Sequence, residues 1–471
     1  MGKTAHSPKL VASHTLKVTA NFLRIGAIAS FCFALLLLAN NGSGVVPTTD
    51  TASAFETVAS IPFADDAVLE RSTTTSTSTT STTVPPTTAH LVECSSPPDL
   101  VAPPDAVVAA LQAAAADVAF DGAELSASIW IEGWGEVLAV NPDLQLIPAS
   151  NQKLLVAIAA YELLEPDTTF RTSIDVVGND LILRASADPT LSYADINRMT
   201  QAIAVTDVSV DRLLVDVSSF PQAPEAPGWL DWDVPQYTGP LSGLMVDNNR
   251  WSAEDEFLDD PALFTGHRIA TSLVEHGIDV DSVEVGTAPV GHTLAEHESV
   301  PVEQILHQML VHSDNQNADL LLMALGLEAT GVGNLEAGAD AIDGVLEDSC
   351  VPTDGTTDDG SGLSRDNQRS AREIQTALRR IPAADQEVLQ SQLPVGGVSG
   401  TLANRFRGVL SGRVLAKTGT LRDVRALSGY TTTNSGREVV FSILVNGEPW
   451  QARRSLPAID RLVVAALDIQ E

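Results

Sequence analysis

Short segments rich in apolar residues and bounded by turn residues mark strands near both ends of the globular part of the chain. Residues 125–140 are such segments on either side of a Gly-Trp-Gly sequence at 133–135, which predicts two strands joined by a turn. Three further strands are predicted close to the C-terminus, at 414–420, 426–433 and 438–446. Strands so far apart in sequence can belong to one sheet only if the chain between them returns to it.

Helical patterns occupy the remaining apolar segments. An Ala-rich helix is predicted from Asp105, as the capping residue, to Val118, and a buried helix over 151–164. Apolar segments at 305–310 and 318–326 predict two more helices, and residues 452–468 predict an amphipathic one. Distant strands on either side of a helical middle indicate an α+β fold, with one antiparallel sheet and helices packed against it.

The N-terminal region has a different pattern. Lysines 3, 9 and 17 and Arg24 precede an apolar run over residues 25–39, and no acidic residue occurs before Asp50. This arrangement is typical of an export signal or an N-terminal membrane anchor, which we assign to residues 1–40. The rest of the protein is therefore expected to be exported and to act outside the cytoplasm, in the periplasm or cell wall space.

A low-complexity segment follows. Residues 72–83 are twelve consecutive Ser or Thr residues and lead into a Val-Pro-Pro sequence. Such a composition has little to bury, so residues 41–100 are predicted to be a disordered linker. The globular domain is predicted to span 101–471.

Composition excludes several classes of function. With 27 basic and 61 acidic residues the net charge is −34, which disfavours binding to nucleic acids and to anionic lipid headgroups. Membrane contact is therefore expected only through the N-terminal segment. The sequence contains no CxxC, HExxH, GxGxxG or P-loop motif, so neither a metal nor an organic cofactor is expected. The acidic run 354–359 is interpreted as a solvated loop.

Three cysteines are present, and only Cys94 and Cys350 lie outside the apolar N-terminal run. An oxidising compartment favours their pairing, so a disulfide between them is predicted.

The lysines point to the chemistry. Only Lys153 and Lys417 lie in the globular part, and both are flanked by apolar sequence. Ser150 precedes Lys153 by three residues, a spacing that places both side chains on one face at the start of a helix. A lysine in apolar surroundings loses its proton readily and can then activate a serine nucleophile. Lys153 is expected to lose its proton first, and Lys417 to stay charged.

A third motif makes the pattern specific. Ser313-Asp314-Asn315 lies between two apolar helices, where such a tripeptide alone is most often a helix cap. Together, SxxK at Ser150, SDN at Ser313 and KTG at Lys417 form the motif set of penicillin-binding proteins and class A β-lactamases.

On these motifs the chain resembles the class C low-molecular-mass penicillin-binding proteins, the D-Ala-D-Ala carboxypeptidase/endopeptidase family S13. The resemblance covers roughly residues 104–465 and includes further matching segments at 188–191, 227–229, 359–365, 393–395, 400–402 and 426–430. It implies a serine β-lactamase/DD-peptidase-like fold with a five-stranded antiparallel sheet. A domain is inserted in this family between SxxK and SxN, here at approximately 170–290. Because Ser150 and Ser313 are only 163 residues apart, this insertion is predicted to be reduced. Ala187 stands where the family usually has Gly.

The resemblance also implies roles for single residues. Ser150 is the expected nucleophile, Lys153 the general base and Ser313 a proton relay. Asn315, Lys417, Thr418 and Thr420 are expected to bind substrate, the last three through its carboxylate. The backbone amides of Ser150 and Thr420 are expected to form the oxyanion hole. The implied substrate is a peptidoglycan stem peptide ending in D-Ala-D-Ala, and β-lactams are the implied inhibitors.

Two alternatives remain open. A serine β-lactamase shares the three motifs, although no ExxLN sequence lies between Asn315 and Lys417 and the chain is long for that class. A non-catalytic wall-binding or penicillin-sensing module is the other, although Ser150 and Lys153 are both present.

Overall fold

The structure, a computed structural model, describes residues 100–206, 208–221, 223–250 and 256–470. The predicted export segment at 1–40 and nearly all of the predicted linker at 41–100 lie outside the described residues.

The first of two sheets joins the two ends of the globular part. Its strands are β1 (Glu124–Ile131), β2 (Gly135–Val140), β8 (Val414–Thr420), β9 (Val424–Thr432) and β10 (Glu438–Asn446). They form one antiparallel sheet in the order β2-β1-β10-β9-β8. The predicted five-stranded antiparallel sheet and α+β class are confirmed. Strands β8 and β10 have the predicted bounds, and β9 begins two residues earlier than expected.

Alternation along β10 explains why both faces of this sheet are covered. Val440 and Leu444 belong to one hydrophobic cluster, and Phe441 and Ile443 belong to another on the opposite face. Successive side chains of a strand point to opposite faces, so a central strand that is apolar at nearly every position needs a helical layer on each side.

Helices α1 (Asp105–Ala115) and α11 (Pro449–Leu467) cover one face of the sheet. The residue before α1 is Pro104, and Asp105 is its first residue, so the predicted capping role of Asp105 is wrong. Proline fits this boundary because its fixed backbone angle suits the first turn, where no N–H partner is available. The other face is covered by helices from the middle of the chain: α2 (Gln152–Leu163), α6 (Val302–His312), α7 (Asn315–Thr330), α8 (Leu335–Asp348), α9 (Ala371–Arg380) and α10 (Ala383–Gln392).

A second five-stranded sheet lies between α2 and α6 in sequence. Its strands are β3 (Arg171–Val177), β4 (Asp180–Arg184), β5 (Arg212–Asp216), β6 (Ser282–Val285) and β7 (His292–Glu298), in the order β6-β5-β4-β3-β7. Helices α3 (Tyr193–Ala204) and α5 (Pro261–Glu275) pack with it around a separate hydrophobic cluster, and a short helix, α4 (Asp233–Gln236), lies between them in sequence. This sheet occupies the interval in which an inserted subdomain is expected. Its β4-β5 and β5-β6 pairs are parallel.

A helix that spans a membrane must be both long and apolar enough to cross it, and this applies to the helices of the described region. No single helix there meets both criteria, and one pair, Asn315–Thr330 with Leu335–Asp348, meets them jointly although it is bent by 72°.

Cys350 follows α8 and is disulfide-bonded. Its partner lies outside the described residues, because Cys32 and Cys94 both precede residue 100. The pairing of Cys350 with Cys94 stays a prediction.

Candidate active site

Three segments from separate elements meet at one cavity of about 650 Å³. Ser150 lies in a single helical turn, Ala149–Asn151, directly before α2. Ser313 lies between α6 and α7, and Thr420 is the last residue of β8. All three residues line the cavity, together with Asn315.

Lys153 reaches back over the first turn of α2 to the hydroxyl of Ser150. Its amine is fully buried and donates to Ser150 Oγ at 3.2 Å and to Asn315 Oδ1 at 2.8 Å. A third hydrogen bond goes to the backbone carbonyl of Ser361. The amine and the hydroxyl are thus held together in the way the three-residue spacing predicts.

The backbone around Ser150 is closely packed on two sides by glycines. Ala149 adopts a left-handed conformation with φ 47°, and Gly362, also at positive φ, lies so close that a Cβ there would overlap the Ala149 carbonyl. A Cβ on Gly419 would lie 2.7 Å from the Pro148 carbonyl oxygen. The positions of Ser150 and β8 therefore depend on these two glycines.

The Ser313-Asp314-Asn315 motif serves as both a helix cap and part of the site. Asp314 is the N-cap of α7, and its carboxylate accepts from the Asn317 N–H at 2.9 Å. Ser313 ends α6 in the left-handed conformation, with φ 60°. Asn315 accepts from Lys153 and donates from Nδ2 to the Tyr237 carbonyl at 3.0 Å. The two interpretations of this motif are therefore compatible.

Lys417 connects β8 to the same cavity. Its amine is fully buried and donates to Ser313 Oγ at 2.8 Å and to the Thr418 carbonyl at 3.0 Å. The Thr418 hydroxyl donates to Thr401 Oγ1 at 2.8 Å and is not among the groups lining the cavity. The structure thus brings together six of the residues predicted for the active site, Ser150, Lys153, Ser313, Asn315, Lys417 and Thr420, whereas the Thr418 hydroxyl faces Thr401.

Comparison with known proteins assigns the chain to a family. The sequence matches the D-Ala-D-Ala carboxypeptidase 3 (S13) family over residues 107–257 and 256–466. This chain belongs to the S13 family.

Relatives and solved structures of the S13 family agree with this assignment. The chain is 30% identical to "Carboxypeptidase Rv3627c" of Mycobacterium tuberculosis, over 67% of this chain and 75% of that protein. It is also 30% identical to the "D-alanyl-D-alanine carboxypeptidase" of Actinomadura sp. R39, over 64% and 74% of the two chains. The structure of penicillin binding protein 4 (dacB) from Haemophilus influenzae has the same fold, with a TM-score of 0.66 at 21% identity, covering 74% of this chain and 98% of that one.

As an S13 protein, the chain is a serine-type D-Ala-D-Ala carboxypeptidase, as the three motifs predict. The family assignment favours this activity over that of a β-lactamase or an idle module.

Electrostatics distinguish the two lysines of this S13 site. Burial lowers the pKa of Lys153 to about 8, and the charges of Asp319, Asp359 and Asp314 oppose the shift. Burial and the charge of Lys153 lower the pKa of Lys417 well below its ordinary value, and no carboxylate offsets this. Burial thus lowers the pKa of both lysines, and the carboxylates lie beside Lys153 and not beside Lys417, so the expectation that Lys153 loses its proton first stays a prediction.

The sequence analysis did not predict two buried carboxylates, those of Asp359 and Asp319. Asp359 belongs to the acidic run assigned to a solvated loop, yet it is fully buried. It accepts hydrogen bonds from five groups: Trp229 Nε1, Ser361 Oγ, Gly362 N, Ser364 N and Asn367 Nδ2. Asp319, on α7, accepts from the Gly360 and Ser361 N–H groups at 2.9 and 2.8 Å. The Gly and Ser residues that follow Asp359 are the only local sequence signal for this cluster, since they supply closely spaced N–H donors.

Burial and the neighbouring Asp359 raise the pKa of Asp319 well above its ordinary value, while the charge of Lys153 opposes the shift. The two carboxylates hold the 359–364 loop, and through it the Ser361 carbonyl, against Lys153. Within the described ranges, no group of three or more His, Cys, Asp or Glu side chains is arranged to hold a metal ion.

Proposed function

We propose that this enzyme removes the terminal D-Ala from peptidoglycan stem peptides through an acyl-enzyme on Ser150, outside the cytoplasm. The observation that carries the proposal is the buried amine of Lys153 at 3.2 Å from Ser150 Oγ. Family membership supplies the bond that is cut, and the apolar run at residues 25–39 supports export.

Acylation begins when the neutral amine of Lys153 accepts the Ser150 hydroxyl proton. Ser150 Oγ then attacks the carbonyl carbon of the penultimate D-Ala. The backbone N–H groups of Ser150 and Thr420 stabilise the negative charge that develops on the carbonyl oxygen. As the C–N bond breaks, Ser313 gives its hydroxyl proton to the departing amine and receives the proton that Lys153 took from Ser150, so D-Ala leaves and Lys153 is neutral again.

The substrate supplies a negative charge that balances the positive charge of the site. The terminal carboxylate binds at Lys417, Thr418 and Thr420, and it provides the counter-charge that the buried Lys417 lacks in the free enzyme. Asn315 holds the substrate amide. Thr418 takes part when its hydroxyl turns from Thr401 toward the ligand. Water then hydrolyses the ester on Ser150 and restores the free enzyme.

β-lactams are expected to acylate the same serine. One solved structure of Haemophilus influenzae penicillin binding protein 4 is a complex with a β-lactam, and it shares this fold with a TM-score of 0.63. A β-lactam carries a carboxylate beside a reactive amide carbonyl, which matches the cation and nucleophile of this site.

The decisive experiment combines labelling by fluorescent penicillin with measurement of D-Ala release. Wild type should be labelled at Ser150 and should release D-Ala from a D-Ala-D-Ala peptide. Lys153→Arg should do neither, since a guanidinium keeps its proton at accessible pH. Acylation of Lys153→Arg at the wild-type rate would refute the assignment of Lys153 as the base.

The same experiment separates the alternatives. Labelling of wild type without D-Ala release indicates a penicillin-sensing module, and rapid release of hydrolysed drug indicates a β-lactamase. Product analysis on isolated muropeptides then distinguishes trimming of stem peptides from cutting of cross-links.

A further inference from the structure

One wall of the catalytic cavity is lined by arginines that have no assigned role. Arg422, Arg425 and Arg453 line the same cavity as Ser150 and Ser313. Arg422 lies in the turn between β8 and β9, Arg425 is the second residue of β9, and Arg453 lies in the first turns of α11. With Arg365, four arginines line this cavity, which is unexpected in a protein with a net charge of −34.

The ion pairs of the described residues do not include these three guanidinium groups, whereas Asp423 in the turn between β8 and β9 pairs with Arg365 at 2.7 Å. Arg453 is exposed on α11, and Arg425 is half-buried. The cavity wall therefore carries positive charge that no direct ion pair within the described residues neutralises, although Asp233 also lines the cavity.

The positive charges of Arg425 and Arg453 repel each other. Two hydrogen bonds of 2.6 Å, to the Leu421 and Val424 carbonyls, fix the guanidinium of Arg425. Burial and the charge of Arg453 lower the pKa of Arg425, and Asp423 opposes the shift only in part. Two like charges held close together at a half-buried position favour an anion that contacts both.

The order of proposed roles along β8 indicates which part of the substrate meets this pair. Lys417 and Thr418 take the carboxylate of the leaving D-Ala, and the Thr420 amide takes the scissile carbonyl oxygen. Beyond the end of β8 the chain turns at Leu421 and Arg422, which line the cavity next to Thr420, and returns as β9, which carries Arg425. A donor peptide bound along β8 therefore extends its upstream residues toward the arginines.

We propose that Arg425 and Arg453 bind a carboxylate on the acyl donor, upstream of the scissile bond, at the γ-linked D-Glu level of the stem peptide. This inference rests on the proposed function, because it assumes a donor seated along β8. Arg425, fixed by two carbonyls, sets the position of the anion, and the exposed Arg453 closes on it from α11. The site thereby selects donors that carry free carboxylates over donors in which this group is an amide.

The test uses two pentapeptides ending in D-Ala-D-Ala that differ in one group. One contains γ-linked D-Glu two residues before the terminal pair, and the other contains its α-amide, D-isoglutamine. Wild type should cleave the carboxylate peptide with a kcat/KM about tenfold higher than that of the amide peptide, a typical size for one charge-assisted contact. Arg453→Gln should remove this preference by lowering kcat/KM only for the carboxylate peptide.

Arg454→Gln is the matched control. Arg454 is the next residue of α11, carries the same charge, and does not line the cavity. It should leave the preference intact. If Arg453→Gln and Arg454→Gln lowered kcat/KM for the carboxylate peptide equally, the effect would be general attraction of anions rather than binding at a site, and the proposal would be overturned. Arg425→Lys provides a second test, since it keeps the charge but loses the fixed geometry and should weaken the preference.

Failure of this inference is distinguishable from failure of the proposed function. If wild type cleaves both peptides equally well, the carboxylate site is refuted and the carboxypeptidase mechanism stands. If wild type cleaves neither peptide while penicillin still labels Ser150, the proposed function fails, and the inference that rests on it fails too.

Discussion

At the level of single residues, the protonation of Lys153 controls when Ser150 can react. Its amine must be neutral to accept a proton, and burial places its pKa at about 8. The neutral fraction rises as the pH rises through this value, so the rate of acylation by penicillin should increase between about pH 7 and 9.

Asp319 contributes the largest of the charges that oppose the lowering of the Lys153 pKa, which suggests a direct test. Asp319→Asn keeps an oxygen that can accept from the Gly360 and Ser361 N–H groups and removes the negative charge. The pKa of Lys153 should fall, and the rising limb of the pH–rate profile should move to lower pH. Asp340→Asn, at an exposed position on α8, is the control and should leave the limb in place. An unmoved limb in Asp319→Asn would contradict this account.

Lys417 should lower the free energy of unfolding of the free enzyme. Its amine is fully buried without a carboxylate, and its charged form is disfavoured. Lys417→Met keeps the apolar stem and removes the amine, so it should raise the free energy of unfolding by about 1 kcal/mol or more while abolishing D-Ala release. Urea unfolding of both proteins tests this. A variant less stable than wild type would show that the hydrogen bonds to Ser313 and Thr418 outweigh the cost of burying the amine.

The residues that the sequence predicted are those with fixed spacing in motifs. Ser150 and Lys153 are three residues apart, so helical geometry alone brings them together. Asp319 and Asp359 are distant in sequence, and only the packing of the 359–364 loop on α7 brings both near Lys153. For the same reason the effect of these carboxylates on the two lysines could not be derived before the fold was known.

At the level of elements, the turn that carries Ser150 depends on Gly362. A Cβ there would overlap the Ala149 carbonyl, and the backbone is at φ 82°. Gly362→Ala should therefore displace Ser150 from Lys153 and reduce penicillin acylation by about a hundredfold or more, since small displacements of reacting groups have effects of this size.

Gly344→Ala is the matched control for Gly362→Ala. Gly344 lies within α8, and a Cβ there would meet no atom within 4 Å. It should leave acylation unchanged and raise the free energy of unfolding by about 0.5–1 kcal/mol, because alanine favours a helix more than glycine does. Equal acylation rates in the two variants would show that the turn tolerates a side chain at Gly362.

The longer strands of the first sheet were predictable, and those of the insertion were not. Strands β8 and β10 have seven and nine residues and the predicted bounds, and β10 is apolar at nearly every position. Strands β5 and β6 have five and four residues and pair in parallel with neighbours that are distant in sequence. Segments this short give no clear period, so only the resemblance to a family predicted a domain there.

For the whole molecule, the predicted disulfide would connect the globular domain to the linker. Cys350 is disulfide-bonded, and the prediction names Cys94 as its partner. The unreduced, denatured full chain should therefore show one free thiol, that of Cys32, and peptide mapping should recover Cys94 linked to Cys350. Three free thiols, or a link between Cys32 and Cys350, would contradict the prediction. Cys350→Ala should lower the free energy of unfolding by about 2–4 kcal/mol, the usual contribution of a disulfide.

The pairing of β1 with β10 has a consequence for how the enzyme is made. Strand β10 is the central strand of the first sheet and also its last strand in sequence, so it is the last of the five strands to leave the ribosome. Its residue Asn446 is opposite Glu124, at the start of β1. A nascent chain that ends at residue 420 contains Ser150, Lys153 and Lys417 but has neither β9 nor β10 to join β1 to β8. Contacts between such distant segments form late in folding. Premature termination between residues 420 and 438 would therefore leave a protein that carries every catalytic side chain but lacks the central strand that joins β1 to the rest of the sheet.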